Sequence, residues 1–154
     1  MAEFPDRVSA LFYTKEINKA GIYLVRFFIN GTETPVIVDD YLPCKNGRPV
    51  FASSRDDELW VSILEKAWAK LHGTYVKTEG NLPCFAFNHL TGIPSTHTSH
   101  ASIRNKEKFF KELIEAKLRQ YTIIACSGDR MKDQNNTGND GINNGVSYLL
   151  VEIQ

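Results

Sequence analysis

The chain has 154 residues, of which 42% are hydrophobic and 23% are charged, proportions typical of one globular domain and not of a disordered chain. Lysine and arginine together number 18, as do aspartate and glutamate, which argues against a nucleic-acid-binding protein and against an acidic cation store. The apolar runs are too short for a membrane span, and three widely spaced cysteines without a secretory pattern favour reduced thiols and a cytoplasmic protein.

The first regular elements predicted along the chain form a β-hairpin. After a short helix or loop at 6–20, the segment GIYLVRFFING is rich in β-branched and aromatic residues and has no helical period, which indicates a strand. The Asn-Gly pair at its end predicts a tight turn, and PVIVDD predicts the returning strand. Arg26 interrupts one face of the first strand, so we expect that face to be partly exposed. Residues 41–54 predict a turn-rich loop with a short strand near Val50 and Phe51.

The segment DDELWVSILEKAWAKLHGTY predicts an amphipathic helix that supplies a main part of the core. Ser54 or Asp56 is placed to cap its beginning, and Gly73 is placed to end it. Lys66 and Lys70 fall on the face opposite to the apolar stripe. The stripe follows the helical period and consists of Trp60, Ile63, Leu64, Ala67, Trp68 and Leu71.

The second half of the chain shows weaker patterns. Residues 76–104 have little periodicity and predict a long loop or a linker. A second helix is predicted at 105–119, followed by a buried strand, YTIIACS, a polar loop rich in asparagine and glycine, and a final strand, VSYLLVEI. The residues expected to point inward from this helix are Phe109, Phe110, Leu113 and Ile114. Together these elements predict an α+β fold.

The three cysteines are not placed as nucleophiles. A reactive thiol needs a lowered pKa, usually from a helix N-terminus or a nearby imidazole. Cys126 lies in a predicted buried strand, where burial raises the pKa of a thiol. Cys44 and Cys84 follow prolines in predicted loops and begin no predicted helix.

The histidines offer only a weak zinc site. His97 and His100 lie in STHTSH, not far from His89, but no cysteine or acid stands at a matching spacing. A polar surface loop is therefore the favoured interpretation, and a zinc-binding module built on the four histidines is the alternative. His72 is expected to interact with the C-terminal end of the helix dipole.

Several acids stand where they could supply oxygen ligands for calcium. Asp39 and Asp40 end a predicted strand, and Glu58 belongs to a run of three acids that begins the predicted helix. The spacing is not that of an EF-hand, so helix capping and turn formation explain the acids more simply.

The order of several motifs points to a known family. KAGIYLVRFF, PVIVDDYLP, NGRPVFASS, DELWVSILEKAWAKLHGTY, FNHLTG and IIACSGD follow one another from about Ala20 to Ser127. In this the chain resembles the protease core of the calpain family of cysteine proteases. The resemblance implies a partial papain-like cysteine proteinase fold, with helices packed on short antiparallel sheets and two subdomains that calcium draws together. Residues 1–92 resemble the rear part of the first subdomain, and residues 93–154 resemble the start of the second.

The same resemblance implies that no catalytic residue is present. The family's nucleophile lies in a G-x-C-W motif ahead of the A-G-I strand, and no cysteine precedes that strand here. The family's histidine lies in G-H-A-Y, and the matching stretch, GVSYLLVEI, puts Val146 at that position. The N-P-W segment that carries the asparagine is absent as well.

Two functional expectations follow from the resemblance. The first is a calpain-like segment that is inactive on its own and acts in binding or regulation, with a protein partner or a complementary protease segment. The alternative is a part of an active calcium-dependent cysteine endopeptidase whose catalytic residues lie outside this chain. Glu58 matches the glutamate that binds calcium in the family's first subdomain, so it is the candidate metal ligand and calcium is the candidate cofactor.

Overall fold

The computed structural model describes residues 4–54, 58–78, 80, 82–127, 142–143 and 145–153. The chain divides into two compact units, Met1–Thr96 and His97–Gln154. Helices and two-stranded antiparallel sheets make up both units, so the predicted α+β class is confirmed. The division lies close to the predicted boundary at residue 92, and the equivalence of the two units with two protease subdomains stays a prediction.

The helices and strands have the following bounds in the described part of the chain. The first unit contains α1 (Pro5–Ser9), β1 (Ile22–Ile29), β2 (Thr32–Asp39), β3 (Cys44–Lys45), β4 (Arg48–Pro49), α2 (Leu59–His72), a 3-10 helix (Val76–Thr78) and α3 (Pro83–Thr91). The second unit contains a 3-10 helix (His100–Ser102), α4 (Lys106–Leu118), β5 (Ile124–Cys126) and β6 (Ser147–Leu149).

The predicted hairpin is confirmed. β1 and β2 pair antiparallel along their whole length, and the turn residues Asn30 and Gly31 have φ values of 51° and 77°. Positive φ at both positions is what a two-residue hairpin turn requires, so the Asn-Gly pair sets the register. Arg26 is half-buried on the face opposite to the core, as expected. The core face of the hairpin consists of Tyr23, Val25, Phe27, Val36 and Val38.

The helix α2 closes the core over this hairpin, as its periodicity predicts. Ile63 and Ala67 are fully buried at its centre. The other members of the predicted stripe pack at the margin of the core and are partly buried: Trp60, Leu64, Trp68 and Leu71. The centre of the stripe therefore carries the tightest packing, and the two tryptophans lie at the edges.

The two lysines of α2 reach the sheet, so the prediction of a separate polar face was wrong. Lys66 Nζ donates to Asp39 Oδ1 and to the Tyr41 carbonyl, both at 2.6 Å, and Lys70 Nζ donates to the Ile37 carbonyl at 2.7 Å. Among the described residues β2 pairs only with β1, which leaves carbonyl groups on its other edge available. The long lysine stems span the distance to that edge.

The beginning of α2 differs from the prediction, whereas its end agrees with it. Glu58 occupies the N-cap position and makes no side-chain capping bond. Ser54 is not the cap, because it lies too far ahead of the first turn; its hydroxyl donates to the Glu58 carboxylate instead. Asp56, the other predicted cap, lies outside the described residues. Gly73 ends the helix with a φ of 97°.

Segments predicted as loops contain two further elements. β3 and β4 form a very short hairpin around Asn46 and Gly47, which replaces the strand predicted near Val50. The helix α3 lies within the stretch predicted as a long loop or linker, so that prediction was wrong. Pro83 suits the first turn of a helix, and Gly92 ends α3 in the left-handed conformation.

Helix α4 begins where the sequence predicts, with the Asn105 side chain accepting a bond from the Lys108 amide. Its predicted inward face is only partly covered. Phe109 and Leu113 are half-buried, but Phe110 is 48% exposed and Ile114 is 36% exposed. The prediction that all of these residues point into a core was therefore wrong.

The strands of the second unit are shorter and more exposed than predicted. β5 has three residues, and Ala125 and Cys126 are exposed in it, so the expected buried strand was wrong. None of the described residues from His97 onward is buried. Most of the predicted polar loop between β5 and β6 lies outside the described residues.

In the part of the chain that the structure describes, no helix combines the length and apolar character that crossing a membrane demands.

Candidate functional site

The three thiols lie in three different surroundings. Cys44 is exposed in β3. Cys84 is the second residue of α3, so the expectation that it begins no helix was wrong. Cys126 is exposed in β5, so the expectation that it is buried was wrong as well, and its Sγ lies 3.4 Å from Ser147 Oγ.

No thiol in the described part of the chain is hydrogen-bonded to an imidazole. All three cysteines and all four histidines lie within this part. The one sulfur contact recorded among these residues joins Cys126 to the hydroxyl of Ser147. Catalysis by a thiolate and an imidazole needs the two side chains within hydrogen-bond reach, and the described residues contain no such pair.

Val146 lies directly before β6, where its main chain is tied to the end of β5. Its amide donates to Ser127 Oγ at 3.3 Å, and its carbonyl accepts from the Ser127 amide at 3.0 Å. Its side chain is 39% exposed and carries no group that can exchange a proton. This position therefore cannot serve as a general base.

Glu58 stands at the N-terminal end of α2 with its carboxylate held in place. Its Oε2 accepts a bond from Trp60 Nε1 at 2.9 Å and from Ser54 Oγ at 3.3 Å. Oxygen ligands of this kind suit calcium, but calcium needs six to eight of them. Among the described residues no group of three or more histidine, cysteine, aspartate or glutamate side chains could hold a metal ion. The described surroundings of Glu58 therefore do not complete a calcium site.

The aspartates that end β2 have structural contacts. Asp39 accepts from Lys66 and from the Tyr41 amide, and the hydrogen bond from Lys66 is the largest cause that lowers the pKa of Asp39. The Asp40 carboxylate occupies the space that a side chain at Gly21 would need, with an oxygen 2.6 Å from the ideal Cβ position. Asp39 therefore holds the end of the hairpin through its side chain, and Asp40 does so through its amide, which donates to the Gly21 carbonyl at 3.0 Å.

Two histidines form a cluster that the sequence did not reveal. The rings of His72 in α2 and His89 in α3 are stacked with centroids 5.7 Å apart, and both rings contact Trp68, at 4.5 Å and 5.5 Å. The Nε2 atom of His72 and the Nδ1 atom of His89 are buried and have no hydrogen-bond partner among the described residues. The pair was missed because His89 lies in a helix that was predicted as a loop.

Burial, followed by the proximity of His89, lowers the pKa of His72. The neutral imidazole is then favoured at neutral pH, which argues against the predicted charge interaction with the helix dipole. His97 and His100 belong to the second unit and are exposed. The four histidines are thus divided in two pairs between the units, and the zinc-module alternative gains no support.

A cavity of about 460 Å³ opens beside the N-terminal end of α2. Residues of α1, of the segment that follows it, of β1 and of α2 line its wall. The wall combines a mainly apolar surface with a few polar groups, and Glu58 and Trp60 are among its members. Sequence reasoning had no signal for this cavity, because its wall is assembled from segments that are distant along the chain.

Comparison with known proteins gives a consistent picture. A family model described as "Calpain family cysteine protease" matches residues 1–154. The chain is 52% identical over 156 residues to "Calpain-type cysteine protease DEK1" of Arabidopsis thaliana, an alignment that covers 97% of this chain and 7% of that protein. It is 54% identical over 159 residues to "Calpain-type cysteine protease ADL1" of Oryza sativa subsp. japonica, covering 96% of this chain and 7% of that protein.

A more distant similarity connects the chain with an animal protein. "Calpain-9" of Rattus norvegicus is 34% identical over 113 residues, which cover 73% of this chain and 16% of that protein. The chain therefore spans only about 7% of the length of the plant relatives and 16% of the length of the rat relative.

Proposed function

The chain belongs to the calpain family of cysteine proteases, and from this premise we propose that it is a protease-core segment that is catalytically inactive on its own and acts by binding. Its partner is a protein or a complementary protease segment. The observation that carries the proposal is the lack of any thiol–imidazole pair among the described residues, which contain every cysteine and every histidine of the chain.

The chemistry explains why this observation weighs against independent catalysis. A cysteine at its ordinary pKa of about 8.5 is only a few per cent thiolate at neutral pH. A papain-like mechanism also needs an imidazole that delivers a proton to the leaving amine. By the resemblance, Val146 stands at the histidine position of the family, and its side chain can neither take a proton from a thiol nor deliver one to the amine.

The second unit supports a role in binding. None of its described residues is buried, and three of its apolar side chains, those of Phe110, Leu118 and Val151, are 48%, 80% and 63% exposed. In the described part of this unit the sheet has two strands, β5 and β6, and an extended segment of a partner could pair with their outer edges. Covering these apolar side chains would stabilise the unit.

Calcium enters the proposal through Glu58 alone. We propose that its carboxylate supplies one ligand of a calcium site and that residues beyond those described around it supply the others. The hydrogen bonds from Trp60 and Ser54 support this role, because they orient the carboxylate at the surface. The chain is further proposed to act inside the cell, since its three cysteines are free.

The alternative function is a part of an active calcium-dependent cysteine endopeptidase. The catalytic residues would then lie outside this chain, on a longer product or on a second chain. The close similarity to plant proteins named as cysteine proteases supports this alternative. It predicts that the missing activity returns when the remaining segments of the core are present.

A cleavage assay on the purified chain tests the leading proposal. A fluorogenic peptide is incubated with the chain, with and without calcium and with and without iodoacetamide. We expect no cleavage that iodoacetamide blocks. The matched control is the variant in which Cys44, Cys84 and Cys126 are all replaced by alanine, and any background should be the same for both proteins.

Two results would change the conclusion. Cleavage that is sensitive to iodoacetamide and absent from the triple variant would place the nucleophile in this chain and overturn the proposal. Cleavage that appears only when a segment carrying a G-x-C-W motif is added, and that requires calcium, would favour the alternative.

A further inference from the structure

Two Asn-Gly pairs occupy the same position in two hairpins of very different size. Asn30 and Gly31 join β1 to β2 with φ values of 51° and 77°, and Asn46 and Gly47 join β3 to β4 with φ values of 53° and 74°. All four residues are exposed, and a Cβ placed on either glycine would meet no described atom within 4 Å. Both pairs therefore lie in open turns that water can reach.

An asparagine that precedes a glycine can lose its side-chain amide without an enzyme. The main-chain nitrogen of the glycine gives up its proton and attacks the side-chain Cγ of the asparagine. The bond from Cγ to Nδ2 breaks, and the amide nitrogen leaves with that proton as ammonia. The ring that forms is a succinimide, which one water molecule opens at either carbonyl to give aspartate or isoaspartate. Glycine favours the attack because it has no Cβ to shield its nitrogen.

The pairing of the flanking strands controls how often this attack can happen. The glycine nitrogen must approach the asparagine Cγ, so the asparagine main chain must rotate out of the conformation that the paired strands impose. The reaction therefore proceeds from hairpins that have opened, and its rate follows the free energy of opening. A hairpin that opens at low cost loses its amide group sooner than one that is tied into a core.

The hairpin β3–β4 has few contacts that oppose its opening. Its strands pair at two positions, and Lys45 and Arg48, the pair next to the turn, are both exposed. One more bond extends the ladder, from the Val50 amide to the Pro43 carbonyl at 2.9 Å, and Pro43 has no N–H with which to return it. A hairpin with so short a ladder is marginally stable, so we expect it to open often.

The hairpin β1–β2 carries the same dipeptide but is far harder to open. Its strands pair at eight positions, and Val25, Phe27 and Val38 on its inner face are 0%, 0% and 4% exposed. Opening this hairpin disrupts core packing as well as strand hydrogen bonds. Asn30 is therefore an internal control for Asn46, because the two sites share their chemistry and their turn and differ in the cost of opening.

We propose that Asn46 is a site of spontaneous deamidation in the folded protein and that the longer hairpin protects Asn30. The aspartate product keeps the turn, because Asp-Gly suits the same two-residue turn as Asn-Gly, and it adds a carboxylate between the basic residues Lys45 and Arg48. The isoaspartate product carries the main chain through the former side chain, which lengthens the turn and disrupts the pairing of these two neighbours. This inference goes beyond the proposed binding function and does not depend on it.

The test is incubation of the full chain in water labelled with the heavy oxygen isotope at mildly alkaline pH, which favours loss of the glycine amide proton. The chain is then digested in ordinary water at mildly acidic pH, and its peptides are measured by mass spectrometry. Each conversion during the incubation exchanges an amide for a carboxylate that carries one heavy oxygen, so earlier and later conversion are told apart. We expect Asn46 to be converted at least about tenfold faster than Asn30.

Two controls separate the effect of the fold from the reactivity of the dipeptide. In concentrated urea both hairpins are open, and the rates at Asn30 and Asn46 should become equal. Asn46→Gln should abolish conversion at this position, since the ring that it would form is less favourable, and should leave the rate at Asn30 unchanged. The third Asn-Gly pair of the chain has its asparagine, Asn144, outside the described residues, and a separate peptide reports it.

Three results would overturn the inference. The first is a folded chain in which Asn46 keeps its amide, and the second is equal rates at Asn30 and Asn46 in that chain. The third is a difference between the two rates that persists in urea, because it would arise from the flanking residues and not from the hairpins. Labelling of the Asn46 peptide by an isoaspartyl methyltransferase would identify the isoaspartate product directly and support the inference.

Discussion

Replacing Trp68 with alanine tests how the first unit is held together. The Trp68 ring contacts Phe27 of β1 at a centroid distance of 5.8 Å and lies against His72 and His89 at 4.5 Å and 5.5 Å. It is therefore a contact shared by β1, α2 and α3. Its removal takes away packing from all three elements at once, and we expect the whole unit to lose stability.

The size of the loss follows from burial and ring contacts. Truncating a large aromatic residue in a core costs about 3–5 kcal/mol. Trp68 is only partly buried, which lowers the contribution of transfer from water, but each lost aromatic contact adds about 0.5–1.5 kcal/mol. We expect a decrease of about 3 kcal/mol in the free energy of unfolding, a large part of the 5–15 kcal/mol typical of a domain.

Urea unfolding followed by far-UV circular dichroism measures this loss. Trp68→Phe is the matched control, because a smaller ring keeps part of the contacts with Phe27 and His72. It should lie between the parent chain and the alanine variant. An alanine variant with an unchanged unfolding midpoint would refute the assignment of Trp68 to the core.

Three further outcomes are expected from the same set of contacts. Burial lowers the pKa of His72 below its usual 6.5, so below that pH the unfolded chain binds more protons than the folded chain does. The stability that neutral His72 contributes is complete above pH 6.5 and is lost as the pH falls below it. His72→Leu should remove this contribution to the decrease of the urea midpoint in acid. Lys66→Met deletes the bonds from Lys66 to the Asp39 carboxylate and to the Tyr41 carbonyl and should lower the thermal midpoint. Gly92→Ala places a Cβ 2.8 Å from the Phe28 ring at a φ of 69°, and should cost at least about 1–2 kcal/mol in the same unfolding assay.

Each of these predictions has a control. Gly31→Ala meets a similar φ of 77° with nothing within 4 Å, so it should be less harmful than Gly92→Ala. Lys111→Met, on the exposed part of α4, should leave the thermal midpoint unchanged. A parent chain whose loss of stability in acid is the same as that of His72→Leu would show that this imidazole does not control the pH dependence.

The family could be predicted from the order of the motifs along the chain. The hairpin and the centre of the core could be predicted from local patterns of residues. The Asn-Gly turn and the alternation around Tyr23, Val25 and Phe27 are local patterns, because a strand presents every second residue to one face. The stripe around Ile63 and Ala67 is equally local, because a helix repeats every 3.6 residues. Such signals need no knowledge of the partner that covers them.

The cavity, the histidine pair and the contacts of the lysines needed the tertiary structure. Glu58 lies beside the apolar wall only because α1 and α2 approach each other there. His72 and His89 meet only because α3 forms, and α3 has too short and too weak a pattern to be recognised before its packing is known. The exposure of Cys126 was equally hidden, since an apolar strand predicts burial only if other elements cover it.

The sequence by itself thus determined the elements whose residues interact within a few positions along the chain, together with the family to which their order belongs. The tertiary structure decided which side chains meet across distant segments, which of them are covered, and therefore what chemistry they can do. The reason is physical: turn formation and the periodicity of helices and strands act between near neighbours in the chain, whereas burial and the pKa values that depend on it are properties of the whole packed unit.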